Sequence, residues 1–263
     1  FGSAYCADGM NAVDWALANY PVDVKTIGIM GYAGDYGGDY AKGVQAAAEA
    51  NGLTVAWEYI VPSPEFDVAQ AVGLMVTKPV DAYFPAIGPT HMAQVAGGAF
   101  QQGLTPLSMM AAPSFNDAFV REGFALAPLF TSGSMYLMAF VAPYEAETAG
   151  HATMRATFTA MGIDSANTFL VAGWASQHHL KGVLEAANKG GDLTRAGIRR
   201  AAGSVYVDSD GMMPQRELGQ NRADAESFIA VPDGTIGSGV KLLAGNYVGP
   251  SAGGYDWESG PCS

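Results

Sequence analysis

The sequence predicts an α/β protein built on a doubly wound parallel sheet. Residues 24–55, VKTIGIMGYAGDYGGDYAKGVQAAAEANGLTV, read as strand, glycine-rich turn, helix and strand. Short apolar runs then alternate with helix-period segments as far as Ala112. Prolines fall where such elements end, at Pro62, Pro64, Pro79, Pro89 and Pro113, and right-handed crossovers are the default.

The first strand is carried by Ile27, Ile29 and Met30 and breaks at Gly31. Tyr40, Val44, Ala47 and Ala48 recur at helical spacing until Asn51-Gly52 stops the helix. The same reading gives strands over 53–61, 82–87 and 107–112 and helices over 66–76 and 91–102. From Ser134 the pattern turns helical, with helices over 136–146, 148–161, 168–188 and 194–202, the last capped by Thr194. Short β-like pieces come next at 206–207, 227–231 and 239–243, separated by the turns Asp210-Gly211 and Asp233-Gly234. Residues from Gly249 onward read as a Gly- and Ser-rich tail.

The loop Tyr32-Ala33-Gly34-Asp35-Tyr36-Gly37-Gly38 succeeds the first strand, where open α/β sheets hold their ligands. It lacks the GxGxxG and GK[ST] orders of nucleotide sites, and no Lys or Arg occurs between Lys25 and Lys42. It is either a tight turn with a helix cap or a ligand loop for something other than phosphate.

Composition narrows the partners. An apolar share of 49% excludes a disordered chain, and 263 residues are enough for two modest lobes. With 14% charged residues and a net charge of -12, the surface is acidic, which argues against nucleic acid and anionic lipid. Gly, Pro, Thr and Gln interrupt every apolar run, so no membrane span is expected. The two cysteines, Cys6 and Cys262, either pair across the whole chain, as suits an oxidising compartment, or stand as separate thiols. The start at Phe1, without initiator Met or signal peptide, reads as processed or truncated.

The order of these pieces resembles a known family. A "GDYG" turn, an "EANGLTV" strand, an "EFDVAQAV" helix, a "VDAYFPAIG" strand, an "AFQQGL" helix end and a "TPLSMMA" strand occur in sequence, succeeded by TFLVAGWASQHHLKGVLEAA and GGDLTRAGIRRAA. Together they resemble the periplasmic solute-binding proteins of the branched-chain amino acid ABC transporter type. The resemblance implies a type I fold, two doubly wound parallel-sheet lobes joined by a hinge, with the start of the first lobe lacking. Residues 1–22 would be a remnant of the first lobe and 23–132 the second lobe. Residues 133–203 would add first-lobe helices and strands, 204–248 the return to the second lobe, and 249–263 a tail. An apolar face on the first-lobe helices would then need a cover.

The resemblance also implies a small organic ligand between the lobes, delivery to the membrane permease of an ABC importer, no cofactor and no metal. It implies a periplasmic or extracellular location, with lipid anchoring through a segment before Phe1. Matched by motif, Tyr36 faces the ligand, with Tyr32 and Asp35 beside it; Ala86, Ile87, Gly88 and Thr90 form the next loop, and Met110, Ala111 and Ala112 the third. Trp174 and Ser176 come from the first lobe, and Tyr5 reaches in from the start of the chain. Where amino-acid binders of the family carry a carboxylate, this chain has Ala111 and Ala112, and no Asp or Glu lies between Asp81 and Asp117. A ligand ammonium would lack its counter-charge. Small residues, methionines and aromatics point instead to a hydrophobic or aromatic carboxylic acid.

Two rival classes are weaker. The ligand-binding sensor domain of a receptor shares the fold and continues into a signalling module. An enzyme lacks its motifs here: there is no HExxH or CxxC, Ser132-Gly133-Ser134 is not a GxSxG elbow, His178 and His179 are helix neighbours whose rings diverge, and Asp208-Ser209-Asp210-Gly211 reads as a turn rather than a calcium loop.

Overall fold

The computed structural model describes residues 4–139, 141–213, 216–217, 225–258 and 260–262. In chain order the helices are α1 (Tyr5–Asn19), α2 (Gly37–Ala50), α3 (Val68–Thr77), α4 (Pro89–Gln101), α5 (Ala127–Phe130), α6 (Ala149–Ala160), α7 (Thr168–Lys189), α8 (Arg195–Ala202) and α9 (Pro250–Gly253). The strands are β1 (Thr26–Tyr32), β2 (Thr54–Val61), β3 (Ala82–Ala86), β4 (Leu107–Ala111), β5 (Met135–Ala139), β6 (Tyr206–Val207), β7 (Arg216–Glu217), β8 (Ser227–Pro232) and β9 (Val240–Tyr247).

One seven-stranded sheet, ordered β2-β1-β3-β4-β5-β8-β9, organises the chain. The first five strands pair in parallel and the last two antiparallel. Because strand side chains alternate, each strand feeds two cores. Ile27, Ile29, Phe84, Leu107, Met109 and Met138 pack beneath α1 and α2, while Met30, Tyr83, Met110 and Leu137 pack beneath α3 and α4. Helices on both faces make the sheet doubly wound, as expected. Such strands read as continuous apolar runs.

Several elements depart from the sequence reading. The helix expected over 136–146 is instead β5, five residues wedged between β4 and β8. A short apolar run has no period of its own, and the sheet offers its backbone partners on both sides. Pro143 ends the possibility of continuing as a helix. The strand expected over 239–243 extends to Tyr247, and the expected tail contains α9. The helix expected from Phe66 begins at Val68, with the Asp67 carboxylate accepting from the N–H groups of Ala69 and Gln70. That leaves the Phe66 ring outside the helix.

The sequence assigns residues 1–22 to the first lobe; over 5–19, α1 instead lies against the large sheet. Its Met10 and Val13 sit in the same core as Ile27 and Val44. Glycines explain the fit: a Cβ on Gly9 would strike the Tyr40 backbone oxygen, and one on Gly43 the Cys6 oxygen. A disulfide joins Cys6 to Cys262, with Cα atoms 6.0 Å apart.

After β5 the chain leaves the sheet for α6, α7, α8 and the β6–β7 ribbon, then returns through β8. The outgoing and returning segments run side by side: Ala142 N donates to Met212 O at 3.3 Å and Gly150 N to Asp210 O at 3.0 Å. Thr148, Asn167 and Thr194 cap α6, α7 and α8 through His151 N, Leu170 N and Gly197 N. This part has its own apolar cluster around Val141, Tyr144, Met154, Phe158 and Val171. On α7, Leu170, Leu180 and Leu184 stay exposed. No described helix is long and apolar enough to cross a membrane.

Candidate functional site

The carboxyl ends of β1, β3 and β4 open onto one rim, and α2 begins there. Gly37 is the hinge of this turn, since a Cβ would strike the Tyr32 backbone. The tight turn aims Tyr36 across the rim. Its hydroxyl reaches Ile87 O at 3.2 Å and Ser114 Oγ at 3.1 Å. Ser114, fully buried, accepts from Ile87 N at 3.2 Å and donates to Pro85 O at 3.2 Å. One hydroxyl thus ties the end of β3 to the segment after β4 and seats Tyr36 on both. Burial drives the Tyr36 pKa far up, the Ser114 bond opposing it, so the phenol stays protonated and available as a donor.

Around Tyr36 the aromatics gather. Tyr5, first residue of α1, meets it at 4.9 Å between centroids, and Tyr32 lies edge-on at 6.4 Å. The Tyr5 pKa is raised, first by burial and then by the charges of Asp8 and Asp35. Tyr32 packs against Phe66 at 5.7 Å, and its hydroxyl lies 2.6 Å from His91 Nδ1. Phe66 stacks on the His91 ring at 4.9 Å. Below the rim, Tyr40 bolts α2 to β4 by donating to Met109 O at 2.7 Å.

Among the residues singled out from sequence, Tyr5, Tyr32, Tyr36, Ile87 and Gly88 come together here; a Cβ on Gly88 would sit 3.0 Å from the Tyr32 hydroxyl. Asp35 is exposed on the turn beside them, and Thr90 is exposed at the start of α4. Ala86, Met110 and Ala111 are fully buried, Met110 in one core and the two alanines in the other, so their side chains lie under the rim. Trp174 and Ser176 have other neighbours: Trp174 stands edge-on to Phe158 at 5.6 Å, and Ser176 Oγ donates to Gly173 O within α7.

Ser114, Phe66 and His91 were not legible as site residues, since each joins the rim by a contact between distant parts of the chain. A further small cavity lies between Ala112, Phe115 and Leu137 on the sheet side and Asn167, Thr168 and Phe169 at the start of α7. The buried Thr168 Oγ1 has no hydrogen-bond partner among the described residues. Among the described residues no three His, Cys, Asp or Glu side chains gather as a metal site. The acidic group nearest in sequence to the third loop is committed elsewhere: Asp117 pairs with Arg121 at 3.0 Å.

Comparison with known proteins agrees with this architecture. Residues 1–234 match the family described as periplasmic binding protein. A fatty acid ABC transporter substrate-binding protein from Thermomonospora curvata superposes with a TM-score of 0.86 at 23% identity, covering 97% of this chain and 66% of that one. An ABC transporter substrate-binding protein from Aeropyrum pernix gives 0.73 at 14% identity, covering 99% and 67%. A branched-chain amino acid ABC transporter protein from Thermus thermophilus with bound valine gives 0.67 at 12%, covering 93% and 66%. This chain therefore spans about two thirds of the length of these solved relatives. No curated protein sequence matches it. With the match running over most of its residues and the α/β sheet wound as in its solved relatives, the chain belongs to the periplasmic binding protein family and has the type I fold.

Proposed function

We propose that this chain is the solute-binding component of an ABC importer, working outside the cytoplasm and handing a small organic ligand to a membrane permease. It binds and releases rather than catalyses, in keeping with its family. The observation that carries the reading is the aromatic rim itself: Tyr5, Tyr32, Tyr36 and Phe66 are held together where three parallel strands end, the position at which α/β sheets take ligands. The paired chain crossings after β5 and before β8 supply the hinge about which a second wall, including Trp174, Ser176 and the start of α7, closes.

The ligand we infer is a hydrophobic or aromatic carboxylic acid rather than an α-amino acid. The loop after β4 is Ala112-Pro113-Ser114, without the carboxylate that a buried ammonium requires. The relative from Thermomonospora curvata, named for fatty acids, is of the same kind. Calorimetric titration of the intact protein with octanoate, phenylacetate and leucine tests this. Binding of either acid with leucine silent supports the reading, and leucine bound in preference to both overturns the ligand class.

A further inference from the structure

The rim carries no permanent positive charge. Across residues 26–41 and 79–120 no Lys or Arg occurs, and the only side chain able to become cationic is His91. That ring is held on two sides, by the Tyr32 hydroxyl 2.6 Å from Nδ1 and by the stacked Phe66. Phe66 is itself braced by Tyr59 at 5.2 Å, whose hydroxyl accepts from Asp67 N at 3.1 Å. Phenol and imidazole are therefore placed by packing before any ligand arrives.

A phenol–imidazole hydrogen bond can run in either direction. With a neutral ring and bare Nδ1, Tyr32 donates, and its oxygen offers only lone pairs to other groups. With the imidazolium, Nδ1–H donates to the Tyr32 oxygen, and the hydroxyl proton is released toward another acceptor. The neutral Nδ1–H tautomer would turn Tyr32 the same way with no proton from solvent, but only the imidazolium brings the positive charge that the rim otherwise lacks, so one proton added to His91 both turns Tyr32 from an acceptor into a donor and supplies a carboxylate's counter-charge. The titratable groups on the elements around the ring are Tyr32, Tyr36 and Tyr59, with Asp35 on the exposed turn, Glu58 on β2, where it accepts from Gln45 Nε2, and Glu65 and Asp67 on either side of Phe66. The Asp67 carboxylate is engaged by the N–H groups of its own helix, and Asp35 acts on Tyr5.

We propose that Tyr32 and His91 form a proton-linked positioning pair of the ligand site: a carboxylate bound at Tyr32 enters with one proton taken up from solvent by His91, whereas a hydroxyl that donates to Tyr32 enters with none. This rests on the rim being the ligand site. The pair reads the chemistry of the ligand headgroup, and the aromatic wall reads its apolar body.

The test is calorimetry of the intact protein between pH 7 and 8.5 in two buffers of different ionisation heat, with sodium octanoate and 1-octanol as probes. Octanoate is expected to bind with uptake approaching one proton and an affinity falling by up to about tenfold per pH unit; octanol is expected to show neither. In His91→Gln, whose amide oxygen can accept from Tyr32, the proton uptake that accompanies octanoate binding is expected to vanish. Octanoate binding without uptake, or uptake unchanged in the variant, overturns the proposal. A ligand-free measurement separates it from the cargo reading: in ring nitrogen NMR spectra, Tyr32→Phe is expected to move the His91 Nδ1 resonance, because the 2.6 Å hydrogen bond is lost. No movement overturns the pair, while movement with no probe bound at any pH upholds the pair and overturns the carboxylic-acid cargo.

Discussion

Two buried hydrogen-bonding side chains show what single residues contribute. Ser114 Oγ accepts from Ile87 N, donates to Pro85 O and meets the Tyr36 hydroxyl, so Ser114→Ala would leave a buried N–H without a partner. The expected loss is about 1–3 kcal/mol in urea unfolding, together with weaker ligand binding because Tyr36 loses its seat. Unchanged stability would show that Tyr36 and the β3 end are held by other contacts. His151 is also fully buried, with Nε2 3.1 Å from Ala142 O and Nδ1 2.7 Å from Thr148 Oγ1. Burial pushes its pKa below the ordinary 6.5; the Ala142 bond opposes this, Arg155 adds to it, and Glu147 and Glu145 oppose it. In the window just below pH 6.5 the unfolded chain holds the extra proton and the folded chain does not, so stability falls as pH falls. Urea midpoints at pH 7.5 and 5.5 should diverge in the wild type and diverge less in His151→Gln. An equal slope in both would remove His151 from the account.

Among the elements, α1 is the one whose role depends most on distant contacts. Asp8, Asn11 and Asp14 recur every three residues along one side, and they hold returning segments of chain. Asn11 donates to Ala225 O and Ser227 Oγ and accepts from Gly249 N, while Asp14 accepts from Ser251 N at the start of α9. Asn11→Ala is expected to cost about 2–4 kcal/mol, because Ala225 O and Gly249 N would be left buried without it; a loss under about half a kcal/mol would mean the seam repacks. None of this is visible in the sequence of α1, because the partners stand 214 to 238 residues away along the chain. By contrast α6, α7 and α8 were legible to within a residue or two, since their caps Thr148, Asn167 and Thr194 are local signals. The strands β1 to β4 were legible because apolar runs ended in Gly or Pro, whereas β5 was not, because five apolar residues have no period that separates strand from helix. The site divides likewise. Tyr32 and Tyr36 stand on a loop that announces itself by its glycines, but the pairing of Tyr32 with His91 joins positions 59 residues apart.

At the scale of the whole molecule, the start of α1 is joined to the segment that succeeds α9, and this bears on the aromatic rim beside it. The Cys6–Cys262 bridge closes a span of 256 residues, and Cys6 is the neighbour of Tyr5, which packs on Tyr36. A cross-link of this span restricts the unfolded chain and typically contributes about 2–4 kcal/mol. The hydrogen bonds from Asp14 and Asn11 hold the final segment independently, so reduction should lower stability without abolishing the fold. It should also loosen the first turn of α1. We therefore expect Cys262→Ser, or the wild type under reductant, to unfold at lower urea and to bind ligand more weakly, the second effect arising because Tyr5 is no longer fixed over Tyr36. Adding Tyr5→Ala to Cys262→Ser separates the two: if the bridge acts on the site through Tyr5, the double variant binds no more weakly than Tyr5→Ala alone while keeping the stability loss of the cysteine variant. Fully additive affinity losses would break that link and leave the bridge as a clamp on the termini only.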